Sequence, residues 1–527
     1  VEEMGLVGVH FKQLPSMERA KLGGYCKSGE DLVFVLESSD HIDSKRNGKA
    51  LFVASEFSDW DAAAGNNSWR LNLDGDSHIL RVPWKEFAGH GEFCFKFITE
   101  DGIWLNPPSN FPFVKETYPG ATDYLFDPRR SGRDVFNFQI LEQSDENLRH
   151  GWFEFRPKGK FGYFQEGGFG KFRIFAPRAE KVDLLIYHKP ESNKQIRIAM
   201  NLQEDGSWVY QSKNKFEDCY YRYGIFHQER GKKGEWIEKI ILDPYAKAAV
   251  GRDGPGLVTV PESHLNSSKC FSIPKMKDLV IVEVHIRDLL TNAPIDLSSD
   301  ERLEFRGLSK WLQSPDCYLR KLGVNAVEIQ PILEFDGNKK SEYHWGYMPV
   351  SFFAPASAYG SDPESGISIS EFKELVKALH ECGLAVILDV VYNHVGIPNH
   401  LLNLDRNLYF RTEDSGKLQN CSGCGNDLRC EAEPVKKLIL DSLKYLVETF
   451  DLDGFRFDLG ELMGFDLLEE IQEKMDFLKP GILLIAEPWS FRGRLPTNLN
   501  CSNYSLWSDE CREKVFRFVQ GTGNKID

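Results

Sequence analysis

Three apolar runs, each ending in an acid, constrain this chain more than any other feature. In DGFRFDLG, residues 453–460, Phe455 and Phe457 alternate with Gly454 and Arg456, the period of a buried β-strand. The two rings therefore fall on one side, and Arg456 shares the other with Asp458. Helical patterns bracket the run: Val435, Leu438, Ile439, Leu443, Leu446, Val447 and Phe450 before it, and Phe465, Leu467, Leu468, Ile471 and Met475 after it. Upstream, LAVILDVVYNH (384–394) carries Asp389, Asn393 and His394; downstream, ILLIAEPW (482–489) ends in Glu487, Pro488 and Trp489. Strands separated by helices are parallel strands joined by crossovers, and acids at their carboxyl ends sit where β/α barrels gather catalytic groups. A buried structural Arg–Asp pair would explain Arg456 and Asp458 alone. It does not explain three acid-terminated strands in series.

Two earlier runs extend the series. LVIVEVHIRDL (279–289) reads as strand one and VNAVEIQPI (324–332) as strand two; strands three to five are 384–391, 453–458 and 482–487. Between the first two, Leu303 to Leu322 has helical spacing, with Leu308, Trp311, Leu312 and Leu319 in phase. The loop after strand two, from Tyr343 through Trp345, Tyr347 and Pro349 to Pro355, is long and aromatic, and loops of that length in a compact domain are usually functional.

The first half of the chain has a different texture. Across residues 1–145, short β-type runs beginning at 31, 49, 78 and 92 are separated by Gly, Asn and Asp turns, the pattern of a β-sandwich. The stretch from Ser55 to Trp60, then Phe93 to Phe97 and Trp104, looks like a starch-binding-type carbohydrate module. Trp60, Trp69, Trp84 and Trp104 are its candidate stacking platforms, against the plainer role of core residues. A second β-sandwich is expected over 150–262. Its Phe175-Ala176-Pro177 and Asp243-Pro244-Tyr245-Ala246 resemble the N-terminal module of debranching and branching enzymes. The glycines of Gln165–Gly170 suggest a phosphate loop, but no Gly-Lys-Ser/Thr follows and no helix opens, so the segment reads as a turn.

Composition narrows the partners. With 64 basic against 79 acidic residues the net charge is −15, which argues against nucleic acid or an anionic membrane surface and suits a neutral substrate. Aromatic residues make up 13%, and sugar rings are held by stacking on them. Eleven cysteines without a framework pattern favour a reducing compartment, cytoplasmic or plastid-like. Cys421, Cys424 and Cys430 cluster without a fourth ligand at zinc spacing, so no metal site is expected. No signal peptide and no membrane-spanning run is found; the chain begins with Val, and a segment ahead of it could have been lost.

Together, the strings around Asp389, Asp458 and Glu487 resemble the sequence regions of the α-amylase superfamily of glycoside hydrolases over residues 150–527. The resemblance implies a multidomain protein: two N-terminal all-β sandwiches, then a (β/α)8 catalytic barrel over 275–527 of which about five β/α units are present. It implies Asp458 as nucleophile and Glu487 as general acid/base of a retaining hydrolase. Arg456 would keep Asp458 ionised, His394 would donate to a sugar hydroxyl, and Asp389 would support Arg456. Asn393 and Trp489 are further substrate-side candidates, and Tyr347 would stack under the sugar with Trp345 as a neighbour. GCGNDLRCEAEPVKKLILDSLKYLVE (423–448) is similar to isoamylase and glycogen-debranching sequences, which implies hydrolysis of α-1,6 branch points in glycogen or amylopectin. No cofactor is expected; the family sometimes binds calcium after strand three, but no oxygen-ligand cluster stands out here. The superfamily's third acid is expected well beyond Glu487, where the chain offers Asp509 in a helical segment. The chain is therefore expected to be part of a longer polypeptide and inactive alone. A non-catalytic glucan-binding subunit, a branching enzyme and an α-1,4-acting amylase stay open as alternatives.

Overall fold

The computed structural model describes residues 25–28, 31–37, 49–126 and 152–260 with short gaps, 271–495 apart from 414 and 415, and 504–521. The first β region holds two antiparallel sheets. One orders Tyr25–Ser28, Asp31–Glu37, Ser77–Pro83 and Asn72–Asp74; the other orders Leu51–Ser55, Phe93–Thr99, Ala121–Phe126 and Val114–Tyr118. Alternation decides what each face buries. Leu32, Phe34 and Leu36 join Phe93, Phe95 and Phe97 in the core, whereas Val33 and Val35 pack with Ile79 on the opposite face. Phe95 stacks on Tyr124 at 5.0 Å between ring centroids.

A second pair of sheets follows. Gly162–Glu166, Phe169–Phe175, Ser207–Ser212 and Asn201–Leu202 form one; Ile196–Ala199, Lys181–Tyr187, Tyr220–Gln228 and Trp236–Ile241 form the other, with Gly256–Leu257 added at Tyr220 and Tyr221. Gly167 and Gly168, at φ +59° and +82°, close the two-residue hairpin between Glu166 and Phe169. Two successive positive φ values are what such a turn requires, so the glycine cluster is a turn as expected. Polar contacts tie this region to the helices beyond it. Arg178 clasps Asp405 with two guanidinium nitrogens, and Arg156 reaches both Glu433 and Glu470. Lys247 Nζ lies 3.6 Å from the centroid of the Phe353 ring.

Six parallel strands then curl into one sheet: β1 (Ile281–Val284), β2 (Ala326–Ile329), β3 (Ala385–Val390), β4 (Gly454–Phe457), β5 (Leu483–Ala486) and β6 (Tyr504–Leu506), paired in chain order. Ala326, Ala385, Ile387, Leu483 and Ile485 point inward as one cluster, while Val327, Val386, Leu388, Phe455 and Phe457 face the helices. The helices are α1 (Ile286–Thr291), α2 (Phe305–Leu312), α3 (Tyr318–Lys321), α4 (Ser368–Glu381), α5 (His400–Tyr409), α6 (Glu433–Phe450), α7 (Gly460–Met463), α8 (Phe465–Leu478) and α9 (Asp509–Val519). The stripe read ahead of β4 is the buried face of α6, whose large apolar side chains each contribute about 1.5–3 kcal/mol on burial. Asp451 then stops α6 in the left-handed region at φ +59°. At Gly454 a side chain would meet Leu483 O at 2.5 Å, so this glycine sets how closely β4 and β5 approach.

The structure departs from the sequence reading in two places. Strand one ends at Val284, and the HIRDL that continues the apolar run turns into α1, capped by His285 Nδ1 accepting from the Asp288 amide. A sixth parallel strand is present where five were expected: Tyr504–Leu506 pairs with Leu484–Ala486. Three residues are too few to show a period, and tertiary pairing alone makes this segment a strand.

Candidate active site

Register assembles the acids. Asp389 of β3 lies opposite Arg456 of β4, and both point inward. Beyond the ends of β4 and β5, the Asp458 amide donates to Val390 O and the Glu487 amide to Phe457 O, each at 3.1 Å. Both carboxylates therefore emerge at the carboxyl edge of the sheet. Between them lies Arg456, 3% exposed. Its Nη1 donates to Asp389 Oδ1 and Oδ2 at 2.9 and 3.0 Å and to Asp458 Oδ1 at 2.9 Å, while Nη2 donates to Glu487 Oε2 at 2.9 Å. One guanidinium thus binds three carboxylates. Burial works against its charge, but Asp389, Asp458 and Glu487 outweigh that and hold it above the ordinary arginine range.

The acids sit in unlike surroundings. Burial raises the Glu487 carboxyl, with Arg456 and the Leu459 amide pulling the other way. That amide donates to Glu487 Oε2 at 2.8 Å, and Leu459 adopts φ +42° to deliver it. A leucine in the left-handed region is strained by roughly 1–3 kcal/mol, a cost found where surrounding structure imposes the geometry. Burial also pushes Asp389 well above the usual carboxylate range, opposed by Arg456 and by the Tyr347 hydroxyl, which donates to Asp389 Oδ2 at 2.6 Å. Asn393 Nδ2 donates to Asp458 O and Oδ2 at 2.8 and 2.9 Å.

The structure thus gathers Asp389, Asn393, Tyr347, Arg456, Asp458 and Glu487 around one point, with His394 behind them. His394 differs from the expected sugar-hydroxyl donor. Its Nδ1 lies 2.5 Å from Asn393 Oδ1 and its Nε2 2.7 Å from Tyr347 O, so both ring nitrogens already face protein oxygens. Burial lowers its pKa. In this arrangement the ring braces Asn393 and the Tyr347 loop. Trp489 lies near enough to the Glu487 carboxyl to lower its pKa, whereas Trp345 stands 66% exposed.

Three residues escaped the sequence reading. Trp507, just past β6, lies 4.3 Å from the Arg456 guanidinium, ring centroid to Cζ, and 6.4 Å from Trp489. Leu459 is invisible in sequence because its role belongs to its backbone. Glu328 was legible as an acid inside the apolar run of strand two. It is 3% exposed, pushed up to about 7 by burial, and among the described residues nothing hydrogen-bonds its Oε1.

The cysteine loop is held by a carboxylate. Asp427 accepts from the amides of Cys421 and Ser422 at 2.6 and 2.9 Å. Among the described residues, no three His, Cys, Asp or Glu side chains are grouped as a metal site. In the N-terminal sheets, Trp60 and Trp104 lie 6.1 Å apart, with Trp104 38% exposed. Trp69 instead packs partly buried beside Phe87. Trp84 opens the short 3-10 turn Trp84–Glu86, and its side chain lies outside the described residues.

The carboxyl edge of a curled parallel β/α sheet, where this chain gathers its carboxylates on a shared arginine, is where β/α barrels place their active sites. Comparison with known proteins sharpens the class. Residues 160–246 match carbohydrate-binding module 48, the isoamylase N-terminal domain. The chain is 34% identical to the chloroplastic isoamylase 3 of Oryza sativa subsp. japonica over 54% of its own length and 41% of that protein, and 30% identical to the pullulanase of Bacillus subtilis over 65% and 48%. It thus spans less than half the length of these two relatives. The crystal structure of apo pullulanase from Paenibacillus barengoltzii superposes with a TM-score of 0.61 at 26% identity, covering 77% of this chain and 62% of that one. Over part of their length, then, this chain is similar to proteins named isoamylase, pullulanase and glycogen debranching enzyme.

Proposed function

We propose that this chain carries the nucleophile and the acid/base of a retaining glycoside hydrolase that cleaves α-1,6 branch linkages in glycogen- or amylopectin-type glucans. The observation that carries the reading is the Arg456 bridge, which holds Asp458 and Glu487 on one guanidinium at 2.9 Å each. Asp458, fixed by Arg456 and by the Asn393 amide, faces the anomeric carbon as the nucleophile. Glu487 holds the proton: Oε2 already receives Arg456 Nη2 and the Leu459 amide, so the acidic hydrogen resides on Oε1 and goes to the leaving oxygen. Loss of that proton leaves Glu487 as the base that activates water against the glycosyl intermediate. The chemistry needs only carboxylates and no cofactor.

The rest of the chain serves the same substrate in this reading. Residues 1–145 form a starch-binding-type module whose platform is the Trp60–Trp104 pair, since of the described tryptophans there Trp69 is committed to packing. Residues 150–262 brace the catalytic unit of 275–527 through Arg156, Arg178 and Lys247. The free cysteines fit a reducing compartment. Among the described residues no helix is long and apolar enough to cross a membrane.

The test is incubation of the longest available gene product carrying this chain with amylopectin, followed by chromatography of the released chains. Linear α-1,4 chains from the parent but not from Asp458→Asn, with both retained on the glucan, support the reading. Retention without release by either protein favours a glucan-binding subunit, and new branch points favour a transferase.

A further inference from the structure

The Arg456 guanidinium is a flat group, and the three acids hold it by its edge. Nη1 donates to Asp389 and Asp458 and Nη2 to Glu487, while Nε is buried with no hydrogen-bond partner among the described residues. Hydrogen bonds along an edge set where the nitrogens lie and leave the faces of the plane free to a stacked ring.

Trp507 supplies that ring. β6 pairs Leu506 with Ala486, and the Trp507 amide donates to Ala486 O at 3.3 Å, so Trp507 is the β6 neighbour of Glu487. Alternation turns both side chains to the inner side of the sheet, with Ile485 and Ser505 one step before them. The indole centroid lies 4.3 Å from Arg456 Cζ, well inside the range in which a cation is drawn to the electron-rich face of a ring. Tryptophan gives the strongest such attraction of the aromatic residues, and burial of the charge strengthens it. The indole is itself held in place. It packs partly buried against Ala326, Ala385, Ile387, Leu483 and Ile485, and the Trp489 ring lies 6.4 Å away. The mechanism proposed above gives this side chain no task.

Given the debranching reading, on which this inference rests, we propose that Trp507 is a positioning residue: stacked on Arg456, it fixes the tilt of the guanidinium and through it the aim of Asp458 and Glu487. It acts through the cation and not on the substrate. A tilt of the guanidinium moves the two carboxyl groups relative to the bond they cleave and leaves the surfaces that hold the glucan where they are. The role therefore belongs to kcat and not to KM. It also depends on the electrons of the ring, whereas an indole that only filled space could be exchanged for any group of the same shape.

The experiment replaces Trp507 in the longest gene product by Phe, by Leu and by a ring-fluorinated tryptophan, which nearly keeps the shape of the indole while fluorine draws electrons from its face. On amylopectin, kcat is expected to fall roughly tenfold in Trp507→Leu, roughly fivefold in the fluorinated protein and about twofold in Trp507→Phe, with KM within about twofold throughout. A fluorinated protein as active as wild type, or Trp507→Leu as active as Trp507→Phe, overturns the assignment. A second readout needs no turnover. Amide exchange in the peptide from Phe455 to Met463, which contains the Leu459 amide bound to Glu487, is expected to be roughly threefold faster in the fluorinated protein than in wild type. Equal exchange in the two contradicts the role. If wild type releases no chains from amylopectin yet exchange follows the ring at position 507, the debranching reading fails and the hold of Trp507 on Arg456 stands.

Discussion

Arg456 binds Asp458 through Nη1 and Glu487 through Nη2, each at 2.9 Å, so a single side chain fixes the separation of the two acids. Replacing it by Met leaves three carboxylates around a buried gap. Arg456→Met is expected to destabilise the protein by on the order of 3–5 kcal/mol in urea titration, the usual result of removing one partner from a buried charge network. Lysine carries the charge but cannot span three carboxylates. Arg456→Lys is expected to fold, with chain release from amylopectin reduced at least tenfold.

Leu459 offers its amide to Glu487 at the expense of a left-handed backbone. Leu459→Gly adopts that conformation without strain and keeps the amide. Its stability is expected to stay within about 1 kcal/mol of wild type, with the hydrolytic rate within a few fold. Leu459→Val, β-branched, is expected to lose about 1–3 kcal/mol and to lower the rate. Thermal unfolding and amylopectin turnover of the two variants check both.

The turn before Tyr347 has no space for a side chain. Gly346 is at φ +87°, and a Cβ there would meet Pro331 O at 2.1 Å. Gly346→Ala is expected to cost about 2–4 kcal/mol and to shift Tyr347 off Asp389, seen as a fall in kcat disproportionate to any change in glucan retention.

Acid should loosen the junction between the second β region and the barrel. His400 Nδ1 accepts from the Leu242 amide and its Nε2 donates to Arg252 O, an arrangement only the neutral ring can make. Burial pushes its pKa down to about 4 from 6.5. The stability this gives is complete above pH 6.5 and is lost as the pH falls towards 4, amounting to on the order of 3 kcal/mol. His400→Gln is expected to flatten the pH dependence of the urea midpoint over that window.

How much of this could be read from the residues depends on what each signal needs. Asp458, Glu487, Asp389 and Arg456 were legible because a period of two, written over apolar runs, fixes which side chains share a face. The helix ahead of β4 was legible in the same way, from its stripe. β6 was not, since Tyr504–Leu506 owes its state to pairing with β5. α1 was absorbed into strand one because HIRDL keeps apolar residues in either conformation, and the His285 cap decides between them. The Arg456–Trp507 contact joins residues 51 positions apart across the sheet, which no local pattern records. The position of His394 beside Asn393 was plain from sequence, but not that both its nitrogens would be taken by neighbouring oxygens.

In the proposed mechanism the raised Glu487 carboxyl is expected to set the alkaline side of the rate profile. As the acid, Glu487 must hold its proton, so kcat/KM is expected to fall as pH rises through a value above that of an ordinary glutamate. Glu487→Gln should abolish this limb along with most of the activity towards unactivated glucans.

The central claim is that Asp458 is the nucleophile and Glu487 its acid/base, and covalent trapping tests it most directly. In Glu487→Gln, α-maltotriosyl fluoride needs no acid to glycosylate the enzyme, and the missing base slows hydrolysis of the product. Peptide mass spectrometry is expected to find one maltotriosyl group on Asp458. A label on another residue, or consumption of the fluoride at the wild-type rate with Asp458 unmodified, would contradict the account.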